Sequence, residues 1–134
     1  MGDAVFLIGF NGEEVNAVRN ALGDVEVHEI PRECLSWKLK EIVEKRPGGN
    51  CNWHERKFLI MHGSNDFIKR VISAVRSLRL GRIIFVSTTP ISLERTLNDL
   101  IKEWLEEDEY FRAYMRAKAE AAKRRGPYLD IGKG

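Results

Sequence analysis

The chain has 134 residues, of which 43% are hydrophobic and 31% charged, and its formal net charge is +2 at pH 7. This balance indicates a folded domain with a substantial core and argues against wholesale disorder. No apolar run approaches the roughly 20 residues that a membrane-spanning helix needs, and Met1-Gly2-Asp3 lacks the basic start of a signal peptide. We therefore expect a cytoplasmic protein with no membrane partner.

The numbers of cysteine and glutamine residues lead to two further expectations. The two cysteines, Cys34 and Cys51, are too few for a disulfide framework. Cys51 and His54 are close enough in sequence to share a metal, with Cys34 and His28 as possible further ligands, but a zinc site needs four ligands in a convincing spacing. We expect no metal and no cofactor. The absence of Gln beside many Arg and Glu is typical of thermophile proteins.

The first part of the chain predicts a strand, a helix, a second strand and a second helix. Ala4–Phe10 is apolar on both faces, as in a central strand. A helix capped by Asn11 follows and ends at Gly23. Val25–Ile30 alternates apolar and polar residues, as in an edge strand. The second helix ends at the linker Pro47-Gly48-Gly49-Asn50.

The second part of the chain repeats this order. A strand over Lys57–Gly63 is followed by a helix capped by Ser64 or Asn65, and a strand over 82–87 leads into Thr88-Thr89-Pro90. A last helix starts near Ser92 and meets no Pro or Gly until position 126. The apolar stripes of the two closing helices match in register: Leu35, Leu39, Ile42 and Val43 correspond to Leu93, Leu97, Leu100 and Ile101.

These elements predict an α/β three-layer sandwich with a mainly parallel four-stranded sheet of order 2-1-3-4, because crossovers between parallel strands are right-handed. The first and last helices would cover one face and the middle two the other. A ferredoxin-like antiparallel sheet is the alternative. We expect one domain over 1–107 built from repeats 4–46 and 57–107, a helical arm over 108–125, and a flexible tail over 126–134.

A parallel sheet of this order would place a crevice at the carboxyl ends of its two central strands, where open α/β sheets bind ligands. Two helix N-termini facing that crevice could hold a small anion or a nucleotide, although ordinary capping also explains their turns. His62 would be the one group there that titrates near neutrality, but no carboxylate is placed to orient it, so we assign no catalytic residue. The predicted ligand-binding residues are Asn11, Gly12, His62, Ser64, Asn65, Thr88 and Thr89.

The helical arm carries four apolar side chains after its core-forming part. Tyr110, Phe111, Tyr114 and Met115 share one side of the helix, and such groups need a partner surface. We predict that they pack on a second copy of the chain, with a dimer favoured, or on another protein. The alternative is a bend that folds the arm back onto its own domain.

The end of the chain is basic, since residues 112–134 hold seven cations against Glu120 and Asp130. Charged runs of this kind are usually solvated helix surfaces, so a nucleic-acid partner is unlikely here and stays an alternative. The cations that would contact an anionic partner are Arg112, Arg116, Lys118, Lys123, Arg124 and Arg125.

The strand Ile83–Val86, the turn Thr88-Thr89-Pro90 and the helix with Leu93, Leu97 and Leu100 resemble a small prokaryotic domain-of-unknown-function family. Leu7–Phe10 and Ser36–Ile42 resemble the same pattern, so the chain looks like two diverged copies, the second without the Trp of the closing helix. The resemblance spans most of 4–107 and implies no known activity. Together with this resemblance, the sequence favours a non-catalytic binding or regulatory module and leaves an enzyme as an alternative.

Overall fold

A computed structural model describes the backbone of residues 2–133 and the side chains of residues 2–124. The chain divides into two units, residues 1–100 and residues 101–134. The predicted flexible tail over 126–134 lies outside the residues whose side chains are described. The elements are β1 (Ala4–Ile8), α1 (Gly12–Leu22), β2 (Glu26–Glu29), a 3-10 turn (Arg32–Ser36), α2 (Leu39–Lys45), β3 (Lys57–His62), α3 (Asn65–Arg76), β4 (Ile83–Ser87), α4 (Pro90–Leu93) and α5 (Leu97–Lys133).

The four strands form one sheet in the order β2-β1-β3-β4, which confirms the predicted order. The outer pairs β1/β2 and β3/β4 are parallel, as predicted. The central pair β1/β3 is antiparallel, with Ala4 opposite His62 and Ile8 opposite Phe58. The sheet is therefore mixed, and the prediction of a mainly parallel sheet is wrong.

The segment before β3 explains the direction of that strand, because hydrogen bonds hold it at the edge where β1 and β2 end. The amide of Gly9 donates to the carbonyl of Cys51 at 2.7 Å, and the indole Nε1 of Trp53 donates to the carbonyl of Ile30 at 2.8 Å. The chain thus reaches Lys57 beside the carboxyl end of β1. From there β3 can only run back along β1 in the opposite direction.

The reversed central pair also changes the helix layers. Right-handed crossovers from antiparallel neighbours place both crossover helices on the same face of the sheet, whereas parallel neighbours would place them on opposite faces. Helices α1 and α3 accordingly share one core with one face of the sheet, which corrects the predicted assignment of helices to faces. That core contains Val5, Leu7, Val15, Val18, Val27, Leu59, Met61, Val71 and Val75.

The opposite face of the sheet is covered as well. Its central residues Phe6, Ile8, Phe58 and Ile60 are all fully buried, so both faces of β1 and β3 are withdrawn from water. This explains why β1 is apolar at every position and β3 is apolar from Phe58 to Met61. The burial of these side chains does not show which elements form a third layer. The three-layer arrangement stays a prediction.

The closing helices begin later than their apolar stripes predict. The stripe from Leu35 starts in a 3-10 turn, and Trp37 and Lys38 are extended before α2 begins. The stripe from Leu93 is likewise divided between α4 and α5. Two reciprocal hydrogen bonds cause both interruptions: the Leu39 amide donates to the Arg95 carbonyl, and the Leu97 amide donates to the Trp37 carbonyl, each at 2.9 Å.

Candidate functional site

The predicted crevice is not formed, because its residues lie at opposite ends of the sheet. Asn11 and Gly12 follow β1, whereas His62 ends β3 and is paired with Ala4 at the start of β1. Antiparallel central strands necessarily send their carboxyl ends to opposite edges. The structure therefore separates Asn11 and Gly12 from the other predicted ligand-binding residues, which are His62, Ser64, Asn65, Thr88 and Thr89.

At the first edge, Asn11 closes a capping box on α1. Its side chain accepts the Glu14 amide at 2.8 Å, and the Glu14 carboxylate accepts the Asn11 amide at 2.9 Å. Glu14 also pairs with the ammonium of Lys57 at 3.3 Å. The predicted cap is confirmed, and its groups are used within the fold rather than for a ligand.

At the second edge, His62 and Thr88 are in direct contact. The Nδ1 atom of His62 lies 2.8 Å from the hydroxyl of Thr88, and both side chains are half-buried. Thr89 caps α4 by accepting the Ser92 amide at 3.0 Å, and Ser64 caps α3 by accepting the Phe67 amide at 3.2 Å. The structure thus joins two of the predicted residues and gives two others a capping role.

A small cavity of about 220 Å³ adjoins His62 and is lined by Lys40, Val43, Glu44, His62 and Leu93. The ammonium of Lys40 is engaged by the Glu94 carboxylate at 3.2 Å. The imidazole has its contact to Thr88, and no carboxylate hydrogen bond orients it among the described residues. These contacts do not provide the base and orienting acid that nucleophilic catalysis requires.

The residues considered for a metal occupy different surroundings. The thiol of Cys51 is fully buried and donates to the carbonyl of Phe10 at 3.3 Å. His54 Nδ1 accepts the Arg56 amide at 2.9 Å, and burial lowers the pKa of the imidazole below its ordinary value. Within the part of the chain whose side chains are described, no group of three or more His, Cys, Asp and Glu could hold a metal ion.

Burial raises the pKa of the Cys51 thiol to about 11, because an apolar environment disfavours the thiolate. The folded state therefore keeps this proton at a pH where the unfolded chain has lost it. Stability from this group is complete below about pH 8.5, the unfolded thiol pKa, and is lost as the pH rises towards 11. We expect the free energy of unfolding to fall by on the order of 2–3 kcal/mol between pH 8.5 and 11.

Urea unfolding across this pH range, with a thiol reagent in parallel, measures the effect. Native Cys51 should react only as fast as the chain opens, and reaction in urea should be fast. Cys51→Ala is the matched variant: it is less stable throughout because of its cavity, but its alkaline loss should be smaller than that of the unaltered chain. An equal loss in both chains would contradict the assignment to Cys51.

Helix α5 presents exposed apolar side chains in the unit 101–134. Its residues Ile101 and Trp104 are buried, whereas four large apolar residues further along are exposed. Their exposed fractions are Tyr110 77%, Phe111 54%, Tyr114 54% and Met115 44%. We call these four residues the α5 stripe. They occupy positions i, i+1, i+4 and i+5 and so lie on one side of the helix, as predicted.

The predicted anionic-partner patch lies on the same helix. Arg112 is half-buried, and Arg116, Lys118, Lys123 and Arg124 are exposed. Arg124 lies 3.8 Å from Glu120 one turn earlier, a contact that contributes little at a solvated surface. The side chain of Arg125 is outside the described residues.

A second basic surface lies on α3 and was missed in the sequence interpretation. Residues 67–93 contain five cations and no Asp or Glu. A concavity of about 720 Å³ opens on this segment. Counting charge over the whole chain, where the sum is only +2, concealed this segment; counting it in windows of about 25 residues would have found it. The lining residues are Lys69, Ile72, Ser73, Arg76, Ser77 and Arg79.

Comparison with known proteins finds a family match over part of the chain. Residues 57–111 match a domain of unknown function (DUF3783). The DUF3783 match runs from β3 into α5 and covers less than half of the 134 residues. It confirms the resemblance to a domain-of-unknown-function family over residues 57–111.

The DUF3783 match does not extend to residues 4–46, so the duplication stays a prediction. No curated protein and no solved structure matches the chain. None of the helices in the described part of the chain is both long and apolar enough to cross a membrane.

Proposed function

We propose that the protein is a non-catalytic binding or regulatory module that forms a homodimer through α5. The observation that carries this proposal is the α5 stripe. Three aromatic rings and a methionine stay exposed on one side of a helix, where each ring can withdraw roughly 150–250 Å² from water. A contiguous apolar surface of that size is typical of an interaction site.

The charges beside the stripe favour a second copy as the partner. Glu103, Glu106, Glu107, Asp108 and Glu109 precede the stripe, and Arg116, Lys118, Lys123 and Arg124 follow it. Two parallel α5 helices would place like charges side by side. Two antiparallel helices would place the acidic segment of each copy along the basic segment of the other, so the surface is complementary to itself.

The register of this pair follows from the residues that share the side of the stripe. At about 100° per residue, Glu107 and Lys118 lie on the same side of α5 as Phe111 and Tyr114. A twofold axis between Arg112 and Ala113 places Phe111 opposite the partner's Tyr114. The same axis places Glu107 opposite the partner's Lys118, so the pair is held by two equivalent ion pairs around an aromatic centre.

Charge exchange tests both the association and its register. Light scattering of the full chain should give a mass of twice 15.4 kDa. Glu107→Lys should weaken the dimer about tenfold, because it turns two attractions into two repulsions at a solvated rim. Adding Lys118→Glu to that variant should restore the affinity, since the pairs are then re-formed with exchanged signs.

The outcomes separate the parts of the proposal. A monomer at all concentrations would refute the homodimer. If the chain forms a dimer whose affinity neither variant changes, self-association stands and the antiparallel register is refuted. Glu13→Lys, an equally exposed acid in α1, is the matched control and should leave the dissociation constant unchanged.

A further inference from the structure

The concavity on α3 is lined by three cations and by no acid, and the nearest acid in the sequence is Asp66, one turn before Lys69. From Phe67 to Leu93 the chain carries Lys69, Arg70, Arg76, Arg79 and Arg82 and no carboxylate, although the whole protein has 20 Asp and Glu. Lys69, Arg76 and Arg79 are exposed and line the concavity. Like charges gathered in this way repel one another, and a bound anion would relieve the repulsion.

None of these three cations has an ion-pair partner among the residues whose side chains are described. This distinguishes them from Lys40, Arg46 and Lys57, each of which contacts a carboxylate in the fold. The three groups are thus available to an external anion.

The fold also holds the site in shape. Lys69, Ser73 and Arg76 follow one another at i, i+4 and i+7, which aligns them on one side of α3 over about 10 Å. The guanidinium of Arg76 lies 5.6 Å from the ring centre of Phe85, a distance at which the ring attracts the cation. Arg79 adopts a left-handed backbone conformation with φ of 54° just after α3.

We propose that this concavity binds a chain of linked phosphate groups. Its volume of about 720 Å³ and two-turn length exceed what one phosphate fills. Cations spaced along a groove, with serine hydroxyls between them, fit successive phosphates. Single-stranded nucleic acid and inorganic polyphosphate share this chemistry. The site lies on unit 1–100 and does not depend on self-association through α5.

Fluorescence anisotropy of a labelled 20-nucleotide single strand, with polyphosphate as competitor, tests the proposal on the full chain. The variant replaces Lys69, Arg76 and Arg79 by glutamine. We expect it to bind at least tenfold more weakly. The slope of log K against log salt concentration should become less steep by about two, because each lost phosphate contact removes roughly 0.7. The matched control replaces Arg32, Lys45 and Lys102, three exposed cations outside the concavity, by glutamine and should bind as the unaltered chain does.

Each result decides the matter. Displacement of the strand by polyphosphate at equal phosphate concentration points to the inorganic chain, and retention of the strand points to nucleic acid; both support a phosphate-chain site. Three results would overturn it: no binding of either polyanion at low salt, full affinity in the α3 variant, or an equal loss in the control. Circular dichroism melting establishes that the exposed substitutions leave the fold intact.

Discussion

A chain in which Phe111 and Tyr114 are both replaced by serine is expected to stay monomeric at concentrations where the unaltered chain is a dimer. In the antiparallel register these rings meet at the centre of the interface, and the twofold axis doubles every substitution. Aromatic residues at interface centres each account for about 2 kcal/mol or more. We expect the dissociation constant to rise at least 100-fold, measured by sedimentation equilibrium.

Ile91 supplies the control for this experiment. It is 77% exposed, in a different helix, and its replacement by serine removes a similar exposed apolar group from unit 1–100. Ile91→Ser should dimerise as the unaltered chain does. If the double serine variant still dimerises with unchanged affinity, the α5 stripe is not the interface, and Ile91 becomes the next candidate among the exposed apolar residues.

Replacing Gly9 by alanine is expected to destabilise the fold by about 3 kcal/mol or more. Gly9 has φ of 84°, and an added Cβ would lie 1.9 Å from the carbonyl oxygen of Arg56 and 2.8 Å from its carbon. Both are backbone atoms of the segment that leads into β3, so no side-chain rotation relieves the clash. Strain at positive φ adds to the cost. Urea denaturation of the full chain measures the loss.

Two other glycines separate the cost of backbone strain from the cost of the clash with Arg56. Gly23 has φ of 64° but no atom within 4 Å of an added Cβ, so Gly23→Ala should cost only the strain of about 1 kcal/mol. Gly12 has ordinary φ and open space, and Gly12→Ala should be close to neutral. A Gly9→Ala variant that is no less stable than Gly23→Ala would contradict the close approach of Arg56.

The sequence was sufficient for the four strands, for α1 and α3, and for the strand order, because these follow from local periodicity and from short crossovers. The direction of β3 was not accessible in the same way. Residues 58–61 are apolar on both faces, and such a strand has the same pattern in either direction. Its direction depends on the hydrogen bonds that Cys51 and Trp53 make with residues more than 20 positions earlier.

The error in the predicted binding site follows from that one unknown. Asn11 was identified as a helix cap from its neighbours, and Ser64 as one of two candidates beside Asn65; Asn11 and Ser64 are the caps. Whether two caps face one crevice is a question of strand direction, which the caps do not determine. The α5 stripe was predictable because side-chain spacing within one helix needs no tertiary information.

Because the chain is synthesised from its N-terminus, Leu39 is made before Arg95, the residue whose carbonyl its amide contacts. At roughly 5–20 residues per second, the ribosome needs several seconds to proceed from Leu39 to Leu97. Until residues 57–62 have been made, β1 has no neighbour on the side that β3 will occupy. The nascent first half therefore exposes one unpaired side of an apolar strand until residue 62 emerges.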